Sequence, residues 1–421
     1  MREPRRASDW DSDVIAALDG QASRELRRTI PLETRRRFGA FFTGTELGSR
    51  LIAHGGEFNQ ESVFYDPTCG MGDLLLAAAK KLPLGETLLD TLEQWGRRLT
   101  GTDLHREFVD GAKARLVLLA RQRHASSLDR TAYMALPRYG HFPHIRVSDA
   151  SNLHVPFERA THLLLNPPFG AIEVAPGCGW ASGRVTAAAS FVIMALERAK
   201  PDTEVLAVLP DVLRSGAFSR NWRSRVGELA KVRLVEPYGL FDETVDVDVF
   251  LLRAVRDDSK GRDPAAPWVT SPTDAGSTVA DYFDVHVGRV VPHRDRKAGP
   301  RHPYIHPRCV PMWVVMRDFP ETRKHEGPFY ERPFVAIRRT SRPGHRYRAV
   351  ATIIAGKGHV AVENHLIVCK PKDGKFSTCR ELMARLKTET VNDFLNARIR
   401  CRHLTVGVVE SIPFGLGRGG Q

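Results

Sequence analysis

Residues 62–82 read SVFYDPTCGMGDLLLAAAKKL. The opening SVFYDP is short and apolar enough for one buried strand. Two glycines, Gly70 and Gly72, then open a turn, and GDLLLAAAKKL has the make-up of a helix. A strand that runs through a glycine turn into a helix is the start of a βα unit, and the pattern recurs down the chain. RLTGTDLH (98–105) is a second strand, followed by the helical REFVDGAKARLVLLARQRH (106–124). HIRVSDA (144–150), THLLLNPP (161–168) and EVLAVLP (204–210) are further strands, with the amphipathic helix AAASFVIMALERAK (187–200) between the last two. Short apolar strands alternating with helices predict an α/β fold built on a doubly wound, mostly parallel sheet. VRLVEPYG (232–239) and VDVDVFLLRAV (245–255) close the run as strands, the second beginning in period-2 alternation.

The chain has 421 residues, of which 42% are hydrophobic, enough for more than one ordinary domain with a sizeable core. No run of about 18 apolar residues occurs, so no membrane span is expected. The N-terminus MREPRRASDWDSD lacks the apolar stretch of a secretory signal. The six cysteines include no C-x-x-C pair, which points to a reducing cytoplasm and to no metal site. HPYIHPRC (302–309) is the one stretch with metal-ligand residue types, and as an isolated cluster it is read against. The net charge of +13 is unevenly spread. From residue 287 onward there are 26 Lys and Arg against 11 Asp and Glu, a net of +15, which leaves −2 for the rest. A basic segment behind a neutral one suggests that the last third holds a polyanion. Between them, RDDSKGRDPAAPWVTSPTDAGST (256–278) has the Pro, Gly and Ser content of a linker. The expected organisation is a helical extension over 1–34, an α/β domain over 35–256, a linker or exposed loops over 257–300 and a basic α+β domain over 301–421.

In doubly wound sheets, ligands bind beyond the carboxyl ends of the strands. Asp66 stands at one such end, where a carboxylate can face an ammonium group, and glycines at 70 and 72 let a ligand approach the backbone. Asp103 ends the second strand, where nucleotide sites of this type place a carboxylate on ribose hydroxyls. Read alone, the turn is equally a structural βα turn and Asp103 a helix N-cap. The stretch LLLNPPFG (163–170) is more informative. Pro167 and Pro168 stop the strand and stiffen the turn. The Asn166 amide and a neighbouring carbonyl then offer acceptors for both hydrogens of an exocyclic amino group, while Phe169 offers a ring for stacking on a planar base.

Together, FYDPTCGMGDLL (64–75) and LLLNPPFG resemble the S-adenosylmethionine-dependent DNA adenine-N6 methyltransferases with an [ND]-P-P-[YF] signature. FGAFFTGTELGSRLI (38–52), placed ahead of the glycine loop, is similar to the first cofactor motif of their gamma order, seen in type I and II restriction–modification enzymes. The resemblance covers roughly residues 35–255 and implies a class I methyltransferase domain there, followed by a DNA target-recognition domain. Carried over by position, it implies that Thr43 touches the methionine end of S-adenosylmethionine and that Asp66, Cys69, Gly70 and Gly72 floor its pocket. It places Asp103 on the ribose, Asp149 on the adenine amino group of the cofactor and Phe191 against that ring. Asn166, Pro167, Pro168 and Phe169 become the catalytic tetrad, with Phe241 as the second aromatic of a base clamp and Phe250 as its competitor. Asp149 also reads as a turn aspartate, and Phe191 as a core aromatic. Gly44 replaces the usual proline of the family, a change expected to loosen the Thr43 loop.

The resemblance further implies double-stranded DNA as partner, a flipped-out adenine as substrate and a cytoplasmic host-protection role beside a separate restriction endonuclease or defence subunit. Arg338, Arg339, Arg342, Arg346 and Arg348, crowded into RRTSRPGHRYR (338–348), are the expected DNA contacts. An RNA guanine-N2 methyltransferase shares the same two motifs, but usually carries its RNA-binding module in front. A release-factor glutamine methyltransferase lacks a basic C-terminal third. A catalytically idle recognition subunit would not need the intact tetrad.

Overall fold

The computed structural model describes residues 17–19, 43–124, 140–175, 177–242, 245–259, 268 and 276–415. The expected extension over 1–34 and the FGAFF part of the first cofactor motif therefore lie outside the described residues, apart from 17–19. The chain forms two compact units, passing from one to the other after Trp268, with the short segment Ser215–Ala217 belonging to the second.

The first unit begins with helix α1 (Thr45–Ala53), strand β1 (Phe64–Asp66), α2 (Asp73–Ala79), α3 (Leu88–Arg98), β2 (Leu99–Asp103) and α4 (Arg106–Arg123). β3 (Ile145–Val147), α5 (Val155–Arg159), β4 (His162–Leu165) and a short hairpin, β5 (Ala171–Glu173) with β6 (Arg184–Thr186), follow. The unit continues with α6 (Ala187–Arg198), β7 (Glu204–Pro210), α7 (Asp211–Ser215), α8 (Arg220–Leu229), β8 (Ala230–Asp242) and β9 (Val245–Arg256). Seven of these strands form one sheet in the order β3-β2-β1-β4-β7-β9-β8. The pairs β3–β2, β2–β1, β1–β4 and β4–β7 are parallel. β9 runs antiparallel to both β7 and β8, so the closing strands form a long hairpin instead of extending the parallel set.

Alternation along the central strands explains why helices cover both faces. Leu164, Leu206, Val208 and Leu251 pack into the core that also holds Leu51, Leu75 and Leu116. Their neighbours Leu163, Leu165, Val205, Ala207 and Leu252 pack into a second core with Val192, Leu196 and Trp222. A strand buried on both sides must read as an unbroken apolar run, which is why LLL and EVLAVLP lack polar positions in their middles. Because these strands run parallel, their carboxyl ends share one edge of the sheet, and Pro67 and Pro167 help to end β1 and β4 there.

Among the described residues, the second unit has two sheets and four helices. α9 (Val279–Tyr282) leads into β10 (Phe283–Val287), then β11 (Arg301–Ile305), β12 (Val315–Met316), β13 (Thr322–Lys324), β14 (Tyr330–Glu331) and β15 (Phe334–Arg338). β16 (Ala351–Ile354), β17 (His359–Val362), β18 (Leu366–Pro371), α10 (Phe376–Leu386), α11 (Glu389–Arg398) and α12 (Val406–Glu410) complete it. The sheets have the orders β10-β18-β15-β16-β12 and β13-β11-β17-β14. The linker expectation for 257–300 is corrected here: Val279, Phe283, Val285 and Val290 are buried core residues, and β10 pairs with β18 over five positions. Phe and Val at alternate positions of FDVHV carry that strand. Among the described residues no helix is long and apolar enough to cross a membrane.

Candidate active site

β1 delivers Asp66 to the carboxyl edge of the sheet, where it is 2% exposed. Its carboxylate accepts one hydrogen bond from the Thr68 N–H at 3.0 Å. Burial, reinforced by the negative charges of Asp103 and Asp73, pushes its pKa up to about 8. A buried carboxylate among like charges fits a cationic ligand, because a positive group there would restore the ionised form. The glycine loop beyond it is tied to β2. Cys69 N–H donates to the Thr102 carbonyl at 2.8 Å, the Thr102 hydroxyl donates to the Pro67 carbonyl at 3.0 Å, and Gly70 N–H donates to Asp103 at 3.1 Å. Asp103 also accepts from the His105 N–H at 2.9 Å. The loop closes with Gly72 N–H on the Cys69 carbonyl at 2.8 Å. Gly72 lies at φ +81°, and a Cβ there would come within 2.9 Å of the Ala112 Cβ, so this position requires glycine. Cys69 is buried, and burial holds its thiol well above the ordinary range, which makes it a packing residue and not a nucleophile.

Asn166 follows β4 at the same edge. Its amide nitrogen donates to the Thr43 hydroxyl at 2.8 Å, and the Thr68 hydroxyl donates to its backbone carbonyl at 3.4 Å. Thr43, Thr68 and Asn166 thus meet across 123 residues of chain. The turn is pinned from the hairpin side as well: Thr186 donates its hydroxyl to the Phe169 carbonyl at 3.0 Å and Ala187 N–H donates to the Gly170 carbonyl at 2.7 Å.

Sequence reasoning did not single out Asp73 and Arg115. Asp73 accepts the Gly44 N–H at 2.9 Å and the Arg115 guanidinium at 2.7 Å. Arg115, 3% exposed on α4, also donates to the Met71 carbonyl at 2.6 Å. One buried ion pair therefore holds the Thr43 loop, the glycine loop and α4 together. The signal in the sequence was an arginine inside the apolar half of KARLVLL, although such a residue has no partner until the chain is folded. Gly44 is also corrected. It lies at φ +74°, which proline cannot adopt, and its N–H makes a bond that proline lacks, so the departure from the family pattern anchors the loop instead of loosening it.

Asp149 lies at the same edge, beyond β3, where Ser148 N–H donates to the Asp103 carbonyl at 3.0 Å. The Asp149 carboxylate caps the turn at Ala150–Asn152, taking the Ser151 N–H and hydroxyl at 2.8 and 2.7 Å. Phe191 is half-buried on α6 and, among the described residues, belongs to neither core cluster of this unit. Phe169 is half-buried and meets Phe241 edge to face, with ring centroids 5.5 Å apart and planes at 76°. Phe241 is only 8% exposed. The two-sided clamp expected from sequence is corrected accordingly: rings in direct contact leave no room for a base between them, and Phe241 buttresses Phe169. Phe250 is fully buried in the sheet and offers no ring to a ligand.

The expected DNA contacts divide within the second unit. Arg348 is 1% exposed and donates to the carbonyls of Ser341, Ile399 and Cys401 at 3.3, 2.9 and 3.0 Å. It is a structural clamp, because a buried cation must be satisfied where it lies. Arg338 donates to the Val310 carbonyl at 2.8 Å, and Arg339 donates to the Leu404 and Asn364 carbonyls, each at 3.4 Å. Arg342 and Arg346 are exposed. His306 and Cys309 of the HPYIHPRC stretch and the more distant Glu321 bring ligand atoms within 4.8 Å of one another. Both His306 ring nitrogens already have partners there, Glu321 at 2.8 Å and the Arg308 N–H at 3.3 Å.

No known family model matches the sequence, and no curated protein matches it. Solved structures do resemble the fold. The type IIL restriction-modification enzyme MmeI, in complex with DNA, is similar with a TM-score of 0.52 at 11% identity, over 90% of this chain and 69% of that one. The type IIG restriction endonuclease BpuSI gives a TM-score of 0.46 at 13% identity, over 90% of this chain and 59% of that one. A modification subunit of a putative type I restriction enzyme from Vibrio vulnificus YJ016 gives 0.38 at 17% identity, over 55% and 48%. The chain thus spans less than two thirds of the length of BpuSI. With its sheet order and the likeness to MmeI, the chain has the class I methyltransferase fold.

Proposed function

We propose that this chain is an S-adenosylmethionine-dependent DNA methyltransferase that modifies the exocyclic N6 of an adenine flipped out of duplex DNA. The observation that carries the reading is the meeting of Asn166, Thr43 and the glycine loop at one edge of a parallel sheet. When bound, S-adenosylmethionine supplies an electrophilic methyl group on a sulfonium centre. Asp66 would face its ammonium end, since a cation there offsets the cost of burying the carboxylate. Thr43, Cys69, Gly70 and Gly72 would line its bed, with Asp103 on the ribose hydroxyls and Asp149 and Phe191 at the adenine end.

An adenine must leave the duplex to reach a concave site, at a cost of a few kcal/mol, and stacking on an aromatic ring returns about 1–3 kcal/mol. Phe169 is the ring placed for that task. The Asn166 side-chain oxygen and the Pro167 carbonyl would accept the two amino hydrogens, which turns the nitrogen lone pair toward its electrophile. Pro168 holds the turn rigid. The methyl would leave its sulfur as the nitrogen takes it, and the positively charged nitrogen so formed is acidic enough to shed a proton to solvent, so positioning and charge placement carry the step and no general base is required. The Asn166–Thr43 bond gives Thr43 a second task, holding the amide at a defined orientation.

Within 338–348, Arg342 and Arg346 are the exposed arginines that would meet DNA, while Arg338 and Arg339 bind main-chain carbonyls. A restriction–modification or related defence setting, with the nuclease on a separate partner, is the context in which such an enzyme works. The test is transfer of tritiated methyl from S-adenosylmethionine to DNA and, separately, to RNA, followed by nucleoside analysis. The reading expects N6-methyladenine from DNA alone. Label in RNA guanine, or none in DNA, overturns it.

A further inference from the structure

Trp313 precedes the edge strand β12 with φ at 62°, a left-handed conformation that aromatic residues rarely adopt. The sheet holds it there: Trp313 N–H donates to the Ala351 carbonyl at 2.8 Å, and Ile353 N–H donates to the Val314 carbonyl at 3.0 Å. The consequence is visible on either side of the tryptophan. Met312 is 55% exposed and Val314 39%, two apolar side chains held at the surface on one tight turn. The Trp313 ring meets Tyr347 at 5.1 Å and 72°, the Lys387 ammonium lies 5.3 Å over Trp313, and the Arg346 guanidinium lies 5.3 Å over Tyr347. Four side chains thus form a row of cation, aromatic, aromatic, cation.

The loop that carries Arg346 is rigid at its base. Arg348 binds three carbonyls, and Asn392 of α11 accepts the Arg348 N–H at 2.8 Å. A row fixed this firmly keeps little conformational freedom to lose on binding. Its flanks are cationic, and the segment from residue 287 onward carries a net charge of +15, which complements a polyanion. Exposed apolar groups beside cations match a DNA groove, where phosphates rim base edges that include the thymine methyl.

We propose that the Met312–Val314 turn and the Trp313–Tyr347 row form a duplex-DNA surface, with Lys387 and Arg346 facing phosphates and Met312 and Val314 meeting base edges. This rests on the DNA reading above and goes beyond it, since none of Met312, Trp313, Val314, Tyr347 or Lys387 stands out in the sequence. The aromatic pair serves as the rigid support that spaces the two cations.

The test uses the full chain, a fluorescein-labelled duplex of mixed sequence and anisotropy measured across a salt series. Met312→Ser with Val314→Ser should weaken binding about tenfold with the salt slope unchanged, because apolar contacts release no counterions. Arg346→Ala should lower the slope by about one. Thermal melting of each variant checks the fold, and the two variants alter different residues. If both bind with the affinity and slope of the parent chain, the surface is not a DNA surface. The same holds if they abolish a self-association of the chain while duplex binding persists. Dependence on these residues in a chain that transfers no methyl group keeps this surface and removes the methyltransferase reading. Adenine methylation with both variants binding normally does the reverse.

Discussion

Asp66 and Arg348 are both buried ionisable side chains, 2% and 1% exposed, one at the end of β1 in the first unit and the other below the loop over 341–348 in the second. Arg348 is met by three backbone carbonyls of its own unit, which accept from both of its terminal guanidinium nitrogens. Asp66 is met by one N–H and by the negative charges of Asp103 and Asp73, which leave it short of positive charge. The difference teaches how to separate structural from functional charge in this fold. A charge whose partners come from its own unit holds the fold, and one left unbalanced at a strand end is, on the reading proposed above, the one that meets a ligand. By the same measure, the Arg115–Asp73 pair is structural although it lies under the glycine loop.

Breaking the proposed catalytic turn should have the largest effect. Asn166→Ala should lower methyl transfer by about 100- to 1000-fold, the usual cost of one positioned hydrogen-bonding group, while calorimetry finds cofactor binding retained. Near-normal turnover would end the assignment of Asn166. Next comes the clamp: Arg348→Ala strands three carbonyls and should cost on the order of 3 kcal/mol in urea unfolding, whereas Arg342→Ala should stay within about 0.5 kcal/mol. A stable Arg348→Ala protein that loses DNA affinity would reverse the contrast drawn above.

The pH dependence of Asp66 sharpens the other half. Its folded pKa of about 8 lies above the ordinary carboxylate value, so the folded chain keeps a proton that the unfolded chain has released. This contribution to stability is fully present below about pH 4 and is lost as pH rises toward 8. A cationic ligand needs the ionised form, so S-adenosylmethionine affinity should rise by about tenfold per pH unit on approach to pH 8, with proton release on binding. Calorimetry in buffers of different ionisation heat reads that proton, and Asp66→Asn should remove the dependence. A flat profile in the parent chain would mean that no cation binds there. A smaller effect than the loss of Arg348 is expected at the loop anchor. Gly44→Ala forces a side chain to φ +74° and should cost about 1–2 kcal/mol in thermal melting, with Gly44→Pro worse because the N–H to Asp73 is also lost.

Much of the first unit was legible because its signals are local. Glycine at 72 answers a close approach and a positive φ, and the two prolines after Asn166 end a strand by their own covalent geometry. Other features were not legible. The direction of β9 depends on a hairpin with β8, and an alternating strand reads the same in either direction. The strand over 283–287 was hidden by its Pro- and Ser-rich approach, and its pairing partner lies some 80 residues downstream in β18. Five arginines within eleven residues read as one DNA-facing group, although only two of them are exposed.

By itself the sequence determined the doubly wound architecture, the glycine loop and the stiffened Asn-Pro-Pro-Phe turn, because these follow from backbone limits that act within a few residues. It also determined that the excess positive charge lies in the last third. Only the tertiary structure decided which charges are satisfied. It paired Asp73 with Arg115, placed Arg348 among carbonyls, turned Phe241 against Phe169 and brought Thr43 to Asn166. The physical reason is the low polarity of the interior: the cost of a buried charge or ring depends on what touches it, and those neighbours come from distant parts of the chain.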